Sequence, residues 1–181
     1  MVNLIRNFYP SCDANSCNLE FKSSFYINDQ SSGKCVATTN PTNATCFIEN
    51  STKEKIDFFA IDDCIIEGVS IKRCDAAVSK KNIIWFIELK EVQWSTNPTK
   101  NREKRKKVRK KAVAQIASTI NDFKSKGIDF SGFLVAGLIS FPPFTISNPS
   151  SPPSTSSQAR ILEFANLCGY TEIYEGNYIV L

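Results

Sequence analysis

Asp75, Glu88 and Lys90 are ionisable residues set in apolar surroundings. Glu88 and Lys90 close the stretch Ile83–Lys90, IIWFIELK, and Asp75 stands directly before Ala76-Ala77-Val78. If both stretches are strands joined by a short hairpin, the two carboxylates become neighbours. Close carboxylates repel unless a cation sits between them. All-oxygen ligation suits Mg²⁺ or Mn²⁺. A lysine beside such an ion can orient a water, help deprotonate it, or steady developing negative charge. Acid, acid, lysine and a hard metal ion form a minimal device for phosphodiester hydrolysis. The sequence contains no histidine. That excludes His-based acid–base catalysis and Ser-His or Cys-His nucleophile pairs. The plain alternative for Glu88 and Lys90 is a solvated ion pair at a strand end, which leaves Asp75 unexplained.

These residues need particular elements to bring them together. Alternation along IIWFIELK sends Ile84, Phe86, Glu88 and Lys90 to one face and Ile83, Trp85, Ile87 and Leu89 to the other. A strand over 69–78, a turn around Lys80-Lys81-Asn82 and a strand over 83–92 place Asp75 opposite residues 86–88. Ile56–Ile61 reads as a preceding strand. Pro98 marks entry to a helix reaching Lys126, with Val113, Ile116, Ala117, Ile120 and Phe123 as its apolar stripe and Gly127 as its stop. Residues 133–140, FLVAGLIS, read as a central strand buried on both faces. A Pro/Ser-rich loop spans 141–158, a short helix 159–168, and two short strands finish the chain. The order predicts an α/β fold, a mixed β-sheet core with flanking helices. Residues 1–55 show weak periodicity, with hints of short strands at LEFKSSFYI and CFIEN. They read as an N-terminal segment packed on or appended to a core over 56–181.

The pattern CDAAV…IIWFIELK resembles the core motif of PD-(D/E)xK nucleases, the restriction-endonuclease-like superfamily. Asp75, twelve intervening residues and Glu88-Leu89-Lys90 match its strand acid, hairpin and Glu-x-Lys. The motif's proline is replaced by Cys74. The resemblance covers roughly residues 56–140 and implies the αβββαβ arrangement. It also implies metal binding by Asp75, Glu88 and the backbone carbonyl of Leu89, with Lys90 aiding the attacking water. KKAVAQIASTIND is similar to the helix that follows the motif in the family and often carries a glutamine near the site; Gln115 matches it. On the helical wheel Gln115 lies well off the apolar stripe, a position equally open to solvent or a partner. A further acid on an early helix is common in the family, and Glu20, Glu49 and Glu54 are the candidates. The implied activity is Mg²⁺- or Mn²⁺-dependent endonuclease cleavage, with DNA favoured over RNA, as an effector or subunit of a defence or DNA-processing system that uses a homodimer or a partner protein.

Charge points toward the same class of partner. Lys100–Lys111, KNREKRKKVRKK, holds nine of the 22 basic residues and one acid; the rest of the chain carries 13 basic and 17 acidic residues. A concentrated basic patch on an otherwise acidic chain suggests a polyanion. Positive charge near a helix N-terminus opposes the macrodipole, so helix stability does not account for it. Lys100, Arg102, Arg105, Lys106, Arg109 and Lys110 are the candidate phosphate-binding residues. The alternative function is a non-catalytic module that uses this basic helix to bind nucleic acid or an acidic protein; a simply solvated helix face is the plain reading.

The remaining signals set the compartment. No run of 18 apolar residues and no signal-peptide pattern is present, which predicts a cytoplasmic protein without membrane association. Seven cysteines, an odd number, are expected as reduced and mostly buried thiols. Cys12, Cys17, Cys35 and Cys46 form a weaker zinc candidate, with spacing unlike the common pairings. The Asn43 and Asn50 sequons read as chance matches.

Overall fold

The structure, a computed structural model, describes residues 2–9, 12, 17–30, 33–68, 72–90, 96, 98–141 and 155–181. Its main layer is a six-stranded mixed sheet in the order β1(Asn18–Phe21), β5(Ile56–Ala60), β6(Ala76–Lys80), β7(Ile83–Leu89), β8(Leu134–Ser140), β9(Glu172–Glu175). The first four strands pair antiparallel with one another. β8 pairs parallel with β7, and β9 parallel with β8. A parallel neighbour requires a crossover, which is helix α2(Pro98–Ser125) between β7 and β8. The expected mixed α/β architecture is present.

α2 covers one face of this sheet. Its stripe of Val113, Ile116, Ala117, Ile120 and Phe123 is buried, and Phe123 lies 5.8 Å from Phe86 of β7 between ring centroids. Gly127, with φ +85°, ends the helix as expected. α1(Val2–Phe8) leads into Tyr9, which packs 5.2 Å from the Phe123 ring. α3(Thr155–Cys168) packs on α2, beginning four residues earlier than its apolar pattern suggests. The opposite face is covered by a second sheet in the order β10(Tyr178–Val180), β4(Cys46–Glu49), β2(Phe25–Asn28), β3(Val36–Thr38). Phe25 meets Phe58 of β5 edge-on, and the Ser140 hydroxyl donates to the Thr45 carbonyl at 2.7 Å. β1 joins the main sheet through β5, and β10 from the C-terminus pairs with β4, so residues 1–55 are woven into the rest of the chain.

Gly137 permits α2 to sit close. A Cβ there would lie 2.5 Å from Ile173 Cδ1 and 3.3 Å from Ile116 Cγ2. Gly137→Val is expected to cost about 1–3 kcal/mol by overpacking, read as a lower urea midpoint at unchanged m-value.

Two expectations about cysteine are corrected. Cys17 and Cys64 form a disulfide instead of remaining free. Pairing of β1 with β5 brings them together: Cys17 immediately precedes β1, and its carbonyl accepts the Ala60 N–H at the end of β5 at 2.8 Å. Cys12, Cys35, Cys46, Cys74 and Cys168 are buried and not disulfide-bonded. With Cys17 bonded to Cys64, the Cys12/Cys17/Cys35/Cys46 zinc quartet cannot form. Asn50 is buried, donating to the Glu54 carbonyl and accepting from Lys80 Nζ, so its sequon is a structural tie. Asn43 occupies an exposed turn with φ +62°. Among the described residues, no helix is long and apolar enough to cross a membrane.

Candidate active site

The site is built where β6 begins and β7 ends. The hairpin turns at Lys81, with φ +51°, and its register runs from Lys80↔Ile83 to Ala76↔Ile87. Asp75 N also donates to the Ile87 carbonyl, at 3.1 Å. Asp75 and Ala76 therefore both oppose Ile87, the pattern of a β-bulge, which re-aims a side chain at a strand end. Asp75 Oδ2 accepts the Leu89 N–H at 2.5 Å, in place of the next rung of the ladder. The Asp75 carbonyl accepts from Ile61 N at 2.8 Å and from the Cys35 thiol at 3.1 Å. Backbone on both flanks thus fixes this acid. Strand β6 itself starts at Ala76; residues 69–71, and 91 and 92 of the strand read over 83–92, lie outside the described residues.

β7 supplies the second acid and the lysine. Alternation turns Phe86, Glu88 and Lys90 toward α2. Glu88 is fully buried. Lys90 N–H donates to the Ser140 carbonyl of β8 at 2.8 Å, which carries the parallel pairing one residue past the strand. Lys90 Nζ ion-pairs with Glu88 Oε1 and donates to Gln115 Oε1 at 3.2 Å. Gln115 Nε2 donates to the Arg73 carbonyl at 2.9 Å. One turn on, the Thr119 hydroxyl accepts the Cys74 N–H at 2.8 Å and donates to the Gln115 carbonyl at 3.1 Å. α2 thereby ties the approach to Asp75 directly to Lys90. Glu88 Oε2 is buried with no hydrogen-bond partner, and such an atom is costly to leave unpaired.

Burial governs the electrostatics. It raises the Asp75 carboxyl to about 7, against the lowering effects of the Leu89 N–H and Lys90; Asp29 and Asp62 add to the rise. Glu88 is pushed well above the ordinary glutamate range, by burial first and by Asp75 second, with Lys90 opposing. The Cys74 thiol is raised by burial and then by Glu88, and Cys35 by burial and then by Asp75. Both stay thiols at neutral pH and are unsuited to nucleophilic attack.

The acids that reinforce this pair are not Glu20, Glu49 or Glu54. Glu20 pairs with Lys55 and Glu54 with Lys81 at the surface, while Glu49 lies on β4 of the second sheet. Asp62 belongs to the turn after β5, as its sequence context suggests. With Asp63 it clamps the buried Arg73, Asp63 Oδ1 lying 2.6 Å from Arg73 Nη2. An Asp-Asp pair followed by a lone arginine was the available signal.

The candidate phosphate-binding residues divide by position. Arg102, Lys106, Arg109 and Lys110 line a cleft between α2 and α3; Lys100 and Arg105 are exposed on α2. Among the described residues, no group of three or more His, Cys, Asp or Glu side chains is arranged to hold a metal ion. Asp75 and Glu88 are the two side chains here whose oxygens suit a hard cation. Comparison with protein-family models, curated proteins and solved structures finds no match.

Proposed function

We propose that the chain is a metal-dependent nuclease of the PD-(D/E)xK type, with DNA the favoured substrate, acting in the cytoplasm as an effector or subunit with a second copy or a partner protein. The observation that carries this reading is the unpaired, buried Glu88 Oε2 beside a second buried carboxylate, Asp75. Two carboxylates driven toward protonation by burial, Glu88 further by the charge of Asp75, form a site that favours added positive charge. The β5–β6–β7 meander, crossover helix and parallel β8 support this reading through the βββαβ part of the implied order; β1 to β4 stand between α1 and β5, where that order has none. A third acid is not required by this reading, since the Leu89 carbonyl would supply a third oxygen.

Asp75, Glu88 and the Leu89 carbonyl would hold Mg²⁺ or Mn²⁺, which when bound supplies Lewis-acid stabilisation and lowers the pKa of a water. The chain's own contribution is positional. The Leu89 N–H orients Asp75, and Gln115, itself anchored on the Arg73 carbonyl, accepts from Lys90 Nζ. Lys90 Nζ, paired with Glu88 and tethered by Gln115, would be placed to hold a water or an oxyanion. Gln115→Ala is therefore expected to lower turnover about tenfold by loosening Lys90, short of the 10²–10⁴ range of a proton-transfer group, with substrate affinity unchanged. The direct test is nicking of supercoiled plasmid and labelled RNA by the purified chain with Mg²⁺ or Mn²⁺, beside Glu88→Ala. Cleavage that survives Glu88→Ala removes this site from consideration.

A second reading is favoured by one observation: no third metal-ligating side chain joins Asp75 and Glu88 among the described residues. In that reading the chain is a binding module that uses its basic helix without cleaving. Retained nucleic-acid binding with no cleavage under either metal, alone or with a partner present, identifies it.

A further inference from the structure

Sheet register connects the candidate site to a second cluster that the sequence does not announce. Glu88 of β7, Ile139 of β8 and Glu175 of β9 are successive partners in one row. Paired residues point to the same face, here the face covered by α2, and strands lie about 4.8 Å apart. Glu175 therefore stands two strands, about 10 Å, from Glu88. Its carboxylate fixes two guanidinium groups from two helices: Arg109 Nη2 of α2 lies 2.6 Å from Oε2, and Arg160 Nη2 of α3 lies 2.7 Å from Oε1. Arg109 Nε is buried with no hydrogen-bond partner. These arginines line a cleft of about 640 Å³, with Arg102, Lys106 and Lys110 on the α2 side and Glu163 as the acid in its wall.

We propose that this cleft binds a backbone phosphate of the nucleic-acid strand engaged at Asp75 and Glu88, a phosphodiester flanking the one to be cut. The proposal rests on the nuclease reading for the identity of the strand. Five cations set against Glu163 in the wall and Glu175 behind two of them leave an excess of positive charge, which calls for a polyanion. Paired guanidinium forks suit phosphate oxygens in particular, and Arg109 Nε–H is a buried donor with no hydrogen-bond partner. Glu175 is a positioning residue: it holds both forks in place before the phosphate arrives. At 3.4 Å of axial rise per phosphate along one strand, 10 Å corresponds to about three nucleotide steps of a stacked strand. The same chemistry would accept a free nucleoside triphosphate, so the test includes one.

The experiment is fluorescence anisotropy with labelled single-stranded and duplex oligonucleotides, in chelator, across a salt series, on the intact chain. Arg160→Gln and Arg109→Gln are each expected to weaken binding about tenfold and to reduce the slope of log K against log salt by about one. Arg160→Lys, which keeps the charge without the fork, should recover the slope and only part of the affinity. Lys81→Gln, the same charge change at the far hairpin tip, should move neither. Thermal midpoints confirm that each variant is folded. Unlabelled ATP should compete only at millimolar levels. Unchanged affinity and slope in folded Arg160→Gln overturns the proposal, as does absence of oligonucleotide binding by the unaltered chain. Tight ATP binding lost in Arg160→Gln, with oligonucleotide binding intact, also overturns it and assigns the cleft to a small phosphorylated ligand. Cleavage by an otherwise active chain in the first outcome leaves the nuclease reading standing. Arginine-dependent binding in a chain that cuts nothing keeps the cleft and sinks the nuclease.

Discussion

Lys90→Ala is expected to reduce metal-dependent cleavage by about 10³-fold, within the range for loss of a positioned proton-transfer group, while oligonucleotide affinity stays within about twofold. On the proposed reading the lysine serves chemistry rather than grip. Its Nζ touches Glu88 Oε1 and Gln115 Oε1, and its side chain is only 15% exposed. Its backbone is anchored separately, to Ser140 of β8. That backbone tie does not depend on the side chain, and in a variant whose thermal midpoint shows it folded the loss should fall on the turnover rate. Lys90→Arg should fail to rescue, because a planar fork cannot occupy the position of a compact ammonium between two side-chain oxygens. Single-turnover rates at saturating metal, paired with binding measured in chelator, separate the two effects. A Lys90→Ala variant that cuts normally but binds weakly would reassign the lysine to phosphate contact.

Glu88→Gln should do the opposite to stability of what it does to activity. Glu88 and Asp75 are acids whose folded-state pKa values are raised, so the folded chain holds protons that the unfolded chain releases. Stability then falls as pH rises from the ordinary carboxylate range toward the raised values. For Asp75 the interval from 3.8 to about 7 corresponds to roughly 4 kcal/mol at 1.36 kcal/mol per unit. In the metal-free protein, Glu88→Gln is expected to raise the melting temperature at pH 8 by several degrees, since 1 kcal/mol moves it about 2–4 °C at this chain length. The gain should shrink toward pH 5, where an unfolded glutamate is itself closer to neutral. Mg²⁺ or Mn²⁺ should stabilise the unaltered chain more at pH 8 than at pH 5, because ligands must be deprotonated. Glu88→Gln should lose that stabilisation. A variant less stable than the parent at pH 8 in chelator would show that the Lys90–Glu88 ion pair, rather than unrelieved burial, dominates at this position.

The readable parts of the sequence were those with a local period. The Val113–Phe123 stripe predicted the buried face of α2, and alternation in IIWFIELK predicted that Phe86, Glu88 and Lys90 share one face, which in the structure is the face that α2 covers. The hairpin register falls within the expected range because Lys80 and Ile83 flank a two-residue turn. Gln115 was legible as a residue but not in its orientation: the wheel sets it off the stripe, and Lys90 reaches it from beyond the strand end. Other features depend on contacts distant in sequence. β10 pairs with β4 across most of the chain, and each has only three or four residues, too few to show a period. The Cys17–Cys64 bond follows from the β1–β5 pairing, which no spacing rule encodes. Arg160 and Glu175 look like ordinary surface residues until parallel pairing of β8 with β9 puts Glu175 on the row of Glu88. The Pro/Ser-rich stretch expected as a loop over 141–158 falls largely outside the described residues, and α3 takes its last four positions.

The central claim is that Asp75 and Glu88 share a divalent cation. Anomalous diffraction from crystals of the intact chain grown in Mn²⁺ at pH 8 tests it most directly. The predicted result is one strong peak bridging the two carboxylates, with Glu88 Oε2 among its ligands at a bond length of about 2.0–2.2 Å, near the Mg²⁺ value, and its disappearance in Glu88→Gln. A manganese peak elsewhere with none between Asp75 and Glu88, or a peak there that persists unchanged in Glu88→Gln, contradicts it.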